Sequence, residues 1–228
     1  KVMDWEIFFE NRDRSQNFDV DQRLSYVSMD RTQTIMYTSG STANPKGITF
    51  NQSNIISKRF ARALALPDFG SEDIFLCYLP LFHTFGRYFE LMGSIFWGAT
   101  YSFAESPAFN SLLKDFPIVN PSIFISIPKR WVQLYEMLEK QLDMDSEDNE
   151  TIETKLKSIT GGKLKWGLSA AGYLDPDIFK FYQSHGVNVL SGYGMTEATG
   201  GITMTPPTEY IIDSVGIALP GITLKIAY

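Results

Sequence analysis

The chain has 228 residues, 44% of them hydrophobic and 20% charged, a composition that builds a buried core and suits one large domain or two small ones. A formal net charge of −6 argues against a general nucleic-acid binder, which needs a basic face. One cysteine, Cys77, excludes an intrachain disulfide, and with only two histidines beside it a zinc site is not expected.

Lys1–Glu10 has no signal-peptide pattern, and no apolar run is long enough to span a bilayer, so a soluble, cytoplasmic protein is expected. Both ends read as mid-domain sequence, the last run Gly221–Tyr228 as a strand that continues, which suggests a segment of a longer chain. Thr32–Tyr37 predicts a short strand, and Thr49–Phe50 pairs with it across a Gly/Ser/Thr/Pro loop. From Ser53 to Leu66, Ile55, Ile56, Phe60, Ala63 and Leu64 recur at helical spacing, and Pro67 and Gly70 end that helix. Asp73–Leu79 predicts a buried strand that makes Cys77 a core thiol. A helix over about 82–97 and a strand at Thr100–Phe103 follow.

Ser122–Ile127 is the next strand, and Pro128 suits the first turn of a helix running to about Leu142. Leu164–Ser169 is a strand, Asp175 and Pro176 open a helix that ends near Gly186, and Val187–Leu190 is a strand. This alternation predicts α/β layers around a largely parallel sheet, with ligands bound beyond the carboxyl ends of the strands. One stretch breaks the rhythm. Asp143, Asp145, Glu147, Asp148, Glu150 and Glu153 come without a Lys or Arg, which predicts a solvated, mobile acidic insertion near 141–160.

Four loops carry chemistry. In Tyr37-Thr38-Ser39-Gly40-Ser41-Thr42-Ala43-Asn44-Pro45-Lys46-Gly47, hydroxyls and backbone N–H groups can cradle phosphate oxygens while Lys46 adds charge. Pro45 and Gly47 stand where a Walker loop needs glycine and Ser/Thr, which excludes that template. In Ser191-Gly192-Tyr193-Gly194-Met195-Thr196-Glu197, two glycines give a tight turn around an exposed ring, Thr196 can bond a phosphate oxygen, and Glu197 can hold Mg²⁺. Tyr78-Leu79-Pro80-Leu81-Phe82-His83-Thr84-Phe85-Gly86-Arg87 places His83 at a helix start, with Arg87 and Glu90 on the same face. Leu168-Ser169-Ala170-Ala171-Gly172-Tyr173-Leu174 offers small residues after a strand, where a flat ring can approach the backbone.

The first loop resembles the T-[ST]-G-[ST]-T-G-x-P-K-G signature of the adenylate-forming superfamily, which includes acyl-CoA synthetases, luciferases and peptide-synthetase adenylation domains. Ala43 is its departure. The second resembles Y-G-x-T-E, the third P-L-x-H, and the fourth, less closely, S-G-[AG]-A-P-L. Ser214–Gly221 is similar to V-G-x-P-x-P-G and reads as structural, while Lys129 and Arg130 after Pro128 read as solvent-facing. H-x-F-x-R-x-x-E from His83 to Glu90 is similar to the long-chain fatty acyl-CoA synthetase subgroup.

The resemblance implies part of the large N-terminal domain of such an enzyme, with the small C-terminal domain absent. It implies ATP, Mg²⁺ and coenzyme A, the last as co-substrate. Thr38, Ser39, Gly40, Ser41, Thr42 and Lys46 would then hold phosphates, and Ala171, Gly172, Tyr193 and Gly194 would border the nucleotide. Thr196 would contact the α-phosphate, Glu197 would orient the metal, and His83 would sit between nucleotide and acid. The implied reaction activates a carboxylic acid, a fatty acid by subgroup, to an acyl-adenylate and passes it to coenzyme A. Two alternatives stay open: a carrier-protein thiol as acceptor, and a non-catalytic nucleotide-binding fragment. Some relatives work on insoluble acids at membrane surfaces, which leaves peripheral membrane contact open, although no amphipathic basic helix argues for it. Oligomeric state is not legible.

Overall fold

The computed structural model describes residues 4–10, 20–38, 44–144, 146–207, 211 and 213–227. Helices α1 (Trp5–Glu10) and α2 (Val20–Ser25) precede an antiparallel hairpin of β1 (Thr32–Thr38) and β2 (Lys46–Asn51). Helix α3 (Gln52–Ala65) opens on a reciprocal cap, in which Asn54 N–H donates to the Asn51 side chain and Asn51 N–H to the Asn54 side chain. Then come β3 (Ile74–Cys77), a π-helix (Phe85–Leu91) running into α4 (Met92–Trp97), β4 (Thr100–Phe103), α5 (Phe109–Val119) and β5 (Ile123–Ser126). The chain continues through α6 (Pro128–Glu139), α7 (Asn149–Thr160), β6 (Trp166–Ala170), α8 (Pro176–Ser184), β7 (Asn188–Met195), a 3₁₀ turn (Thr196–Ala198), β8 (Gly200–Met204) and β9 (Ile217–Ala218).

Seven strands form one sheet in the order β4-β3-β5-β6-β7-β8-β9. The first five are parallel, and β8 and β9 add antiparallel at the edge, as the strand–helix alternation predicts. Side chains alternate between two cores. Phe75, Cys77, Ile123, Ile125, Leu168 and Leu190 face one side, and Leu76, Phe124 and Val189 face the other. On the second side Trp131 is fully buried against Gly167 of β6, where a Cβ would come within 2.5 Å of its ring. Trp131 Nε1–H donates to Leu168 O at 3.3 Å, and Tyr182 Oη–H donates to Trp131 O at 2.7 Å. One tryptophan thus joins α6, β6 and α8.

At the amino ends of the strands, buried Asp73 accepts from Ser122 Oγ–H at 2.7 Å and pairs with Lys165 Nζ at 3.1 Å. Ser122 Oγ in turn accepts from Ile74 N–H at 2.9 Å, so the starts of β3, β5 and β6 are fixed together. The opposite, carboxyl ends are left for the site.

Several sequence expectations change. Residues 149–160 of the acidic stretch form helix α7, capped by Asp148 accepting from Thr151 N–H, with Ile152 and Leu156 buried. Asp148 caps the helix, Glu150 and Glu153 lie off its buried face, and two apolar residues four apart suffice to dock it. Residues 221–227 form no strand. Arg130 is half-buried rather than solvated. It donates to Gln133 Oε1 and to Pro107 O, tying α6 to the loop before α5. Helix α5, with Pro117 in its last turn, was not foreseen.

Helix α3 is turned over relative to expectation. Ile56, Phe60 and Leu64 are exposed, whereas Lys58, Arg59 and Arg62 are buried with Ile55 and Ala61. Periodicity says which residues share a face, and here the face carrying the charges packs inward.

Glu90 is completely buried on the π-helix, and no ion pair joins it to Arg87 among the described residues. Its carboxylate oxygens find no hydrogen-bond partner among the described residues. Burial pushes its pKa well above the usual carboxylate range, and the nearby Leu79 backbone N–H offsets this only in part. A raised folded pKa means the native state holds a proton that the unfolded chain has released. That stability is fully present below about pH 4.3, the unfolded value, and is lost as pH rises through the folded pKa. Glu90→Gln, neutral at every pH, should melt above the wild type at pH 8, with the gap closing towards pH 4. Parallel melting curves across pH would contradict this.

Candidate functional site

Strand β6 ends beside the middle of β7, with Ala170 opposite Gly192. After Ala170 the chain leaves the sheet at Ala171, whose φ of 64° lies in the left-handed region. Strand β7 runs on and pairs with β8, Met195 opposite Gly200. Gly194 has no room for a side chain, because a Cβ there would run into the Gly200 backbone. The glycine before Met195 is therefore required by close backbone approach.

On the neighbouring side, His83 N–H donates to Pro80 O, and the π-helix begins two residues later. Gly86 lets that helix press against the end of β3, since a Cβ there would lie 2.7 Å from the Leu79 and Pro80 carbonyls. The i→i−5 bond from Met92 N–H to Arg87 O marks the wider turn, a feature frequent at functional sites.

These elements enclose a cavity of about 240 Å³ beyond the carboxyl ends of the parallel strands, where such sheets bind ligands. Its exposed rim carries His83, Tyr193, Gly194 and Met195, with half-buried Thr196 beside them. Ala170 and Ala171 form one wall. Its depth is apolar, with Phe89, Leu168, Met204 and Leu219, joined by the buried polar Arg62, Thr84 and Thr203. His83 Nδ1 accepts from Phe85 N–H at 3.2 Å, so the neutral ring carries its proton on Nε2 as a donor.

The other foreseen residues lie elsewhere. Glu197, exposed on the 3₁₀ turn, lines an adjacent recess of about 380 Å³ with Ser53, Asn54, Ser57 and Lys58. Thr38 and Lys46 face each other across the foot of the β1–β2 hairpin and line neither space. Ser39, Gly40, Ser41 and Thr42 lie outside the described residues, as does Ala43. Gly172 is exposed beside Pro128, outside the cavity.

Three residues were missed. Lys58 Nζ donates to Gly201 O at 2.7 Å and is pulled down to about 8 by burial, then by Arg62 and Arg59. Arg59 is buried, its guanidinium nitrogens have no partner among the described residues, and burial pulls it down to about 10. Arg62 donates Nη1–H to Tyr88 O at 3.0 Å and lies over the Phe89 ring at 4.5 Å. Burial, then the Arg59 charge, hold it well below the usual arginine range. The available signal was Lys58-Arg59-x-x-Arg62 on one helix face without an acid.

The family description "AMP-binding enzyme" matches residues 3–227. The chain belongs to the AMP-binding enzyme family. Similar curated proteins include long chain acyl-CoA synthetase 7, peroxisomal, of Arabidopsis thaliana, 27% identical over 220 residues, 85% of this chain and 31% of the relative. Fatty acyl-CoA synthetase A of Dictyostelium discoideum is 27% identical over 223 residues, 85% and 32% of the two chains. The chain thus spans about a third of the length of the curated relatives it matches.

The AMP-binding fold is shared with solved structures. The complex of VinN with L-aspartate superposes with a TM-score of 0.70 at 24% identity, over 88% of this chain and 47% of that one. O-succinylbenzoate coenzyme A synthetase from Bacillus subtilis, in complex with AMP, gives 0.65 at 24% identity, over 85% and 36%. Among the described residues no three His, Cys, Asp or Glu cluster to hold a metal. Glu197 in a recess with Asn54 and Ser57 fits the way Mg²⁺ is usually carried, by one carboxylate plus substrate phosphates and water.

Proposed function

We propose that the chain is part of an AMP-forming fatty acyl-CoA ligase that activates its acid in the cavity at the ends of β6 and β7. One observation carries this reading: Tyr193, Thr196, Ala171 and His83, drawn from three separate loops, converge on that cavity. In the reaction, a carboxylate oxygen attacks the α-phosphorus of ATP, and the bond to pyrophosphate breaks. The thiol of coenzyme A then attacks the acyl carbon, and AMP leaves.

Tyr193 and the small Ala170–Ala171 wall offer adenine a flat slot. Thr196 donates to the α-phosphate, and His83 presents Nε2–H to the reacting carboxylate. Thr38, Lys46 and residues 39–42 between them receive the β- and γ-phosphates. Mg²⁺, when bound at Glu197, would neutralise charge on the phosphates. Most of the work is alignment and charge neutralisation.

Names of relatives support a fatty acid as substrate. No described helix is long and apolar enough to cross a membrane. We place the activity in the cytoplasm, with the peroxisome, from the names of two relatives, as the competing address. The test is product stoichiometry in the full-length protein with ATP, a fatty acid and coenzyme A. One AMP and one pyrophosphate per thioester are expected. ADP as product, or thioester only on a carrier protein, would overturn the reading.

A further inference from the structure

Helix α3 exposes Ile56, Phe60 and Leu64 and buries three cations, the reverse of what burial energetics favours unless the charges meet a ligand. Arg62 is 2% exposed, lines the cavity, and has no acidic partner among the described residues. Among the described residues one of its five donors is used, by the Tyr88 carbonyl, and its guanidinium carbon lies 4.5 Å over the Phe89 ring. Its Nη2 reaches the cavity wall beside Gly200, an approach that only glycine permits, since a Cβ would lie 2.6 Å from that nitrogen. Arg59, also buried, has three guanidinium nitrogens without a partner among the described residues and adds a second positive charge that acts on Arg62.

We propose that Arg62 is an anion receptor inside the cavity, donating from Nη2 to an anionic oxygen of the bound acid. This rests on the reading of the cavity as the acid-binding site. A guanidinium in a low-dielectric pocket, over an aromatic ring and short of partners, binds a carboxylate far more strongly than one in water. The oxygen belongs either to the reacting carboxylate or to a second acidic group at the other end of the acid. In the second case the enzyme prefers acids with two anionic ends over plain alkyl chains.

The experiment uses the full-length protein and its Arg62→Met and Arg62→Lys variants. Carboxylate-dependent exchange of pyrophosphate into ATP is measured with monocarboxylic acids and with α,ω-dicarboxylic acids of equal length. Calorimetric binding of the same acids without ATP reads Arg62 even if exchange is absent. Loss of a charge-assisted hydrogen bond should raise KM and Kd for the acid about 10-fold or more in Arg62→Met, with a smaller rise in Arg62→Lys. An equal rise for both classes assigns the reacting carboxylate, and a rise confined to the dicarboxylic acids assigns the far group.

Melting temperatures serve as the folding control. Arg62→Met should melt no lower than wild type, because it removes a buried uncompensated charge. If it fails to fold, Arg62→Lys carries the test alone, since it keeps the charge and loses the fork. Unchanged acid KM and Kd in both variants would overturn the proposal, as would a rise in KM for ATP alone. No acid binding to the wild-type protein would overturn it as well. Exchange that persists with Arg62 irrelevant leaves the ligase reading standing, whereas products other than AMP and pyrophosphate sink that reading and not this one.

Discussion

In the full-length protein, Glu197→Gln should lower acid-dependent ATP turnover by at least about 10–100-fold, the cost typical of disturbing even the outer-shell partners of a metal's ligands. The reason lies in the recess it occupies. Glu197 is the sole carboxylate among the residues lining that space, beside Lys58, Asn54, Ser57 and Ser53. The substitution keeps the shape and removes the charge that would hold a divalent cation next to the phosphates. Because Glu197 is exposed on a 3₁₀ turn, stability should change by less than about 0.5 kcal/mol, which separates the effect from unfolding. Raising Mg²⁺ should recover part of the lost rate. Full turnover at ordinary Mg²⁺, or a loss that Mg²⁺ does not touch, would show that Glu197 does not carry the metal.

Trp131→Ala should cost about 3–5 kcal/mol of stability, the range for deleting a large buried aromatic. The ring is completely buried and stacks edge-on against Phe124 and Tyr182 at 5.4 and 5.0 Å. Its removal opens a cavity beneath Gly167, which has no side chain to collapse into the gap. It also leaves Leu168 O without the Nε1–H donor. Leu168 lines the candidate cavity, so the mutant should bind acid and nucleotide more weakly even at temperatures where it stays folded. Urea unfolding reads the first effect. A loss below about 1 kcal/mol would mean the site relaxes far better than its geometry suggests.

The layered parallel sheet was legible because its buried strands are short apolar runs bounded by Gly and Pro, such as Ser122–Ile127 before Pro128. The glycines at 192 and 194 were legible, but as a tight turn. The chain stays extended in β7 as far as Met195, and glycine at 194 is demanded instead by the close approach of the Gly200 backbone. Helix α7 was hidden by its acids, since only Ile152 and Leu156 dock it. The inward face of α3 was hidden for a different reason. Ile56, Phe60 and Leu64 form a good apolar stripe, and the acid-free run Lys58-Arg59-x-x-Arg62 marks a cationic face without saying that it wins the interior. That choice is made by tertiary structure, and it coincides with the part of the candidate site that motif reading left out. The long-chain pattern through His83, Arg87 and Glu90 also splits in three dimensions. His83 lines the cavity, while Glu90 is buried on the π-helix apart from it.

Adenylation at the β6–β7 cavity is the claim on which the rest depends, and Thr196 faces that cavity directly. The most direct measurement is acid-dependent exchange of labelled pyrophosphate into ATP, in wild type and Thr196→Val, which keeps the shape and removes the hydroxyl. Exchange should require a carboxylic acid, proceed without coenzyme A, and fall about 100-fold or more in the variant. Exchange that ignores the acid, or that survives intact in Thr196→Val, would contradict the account.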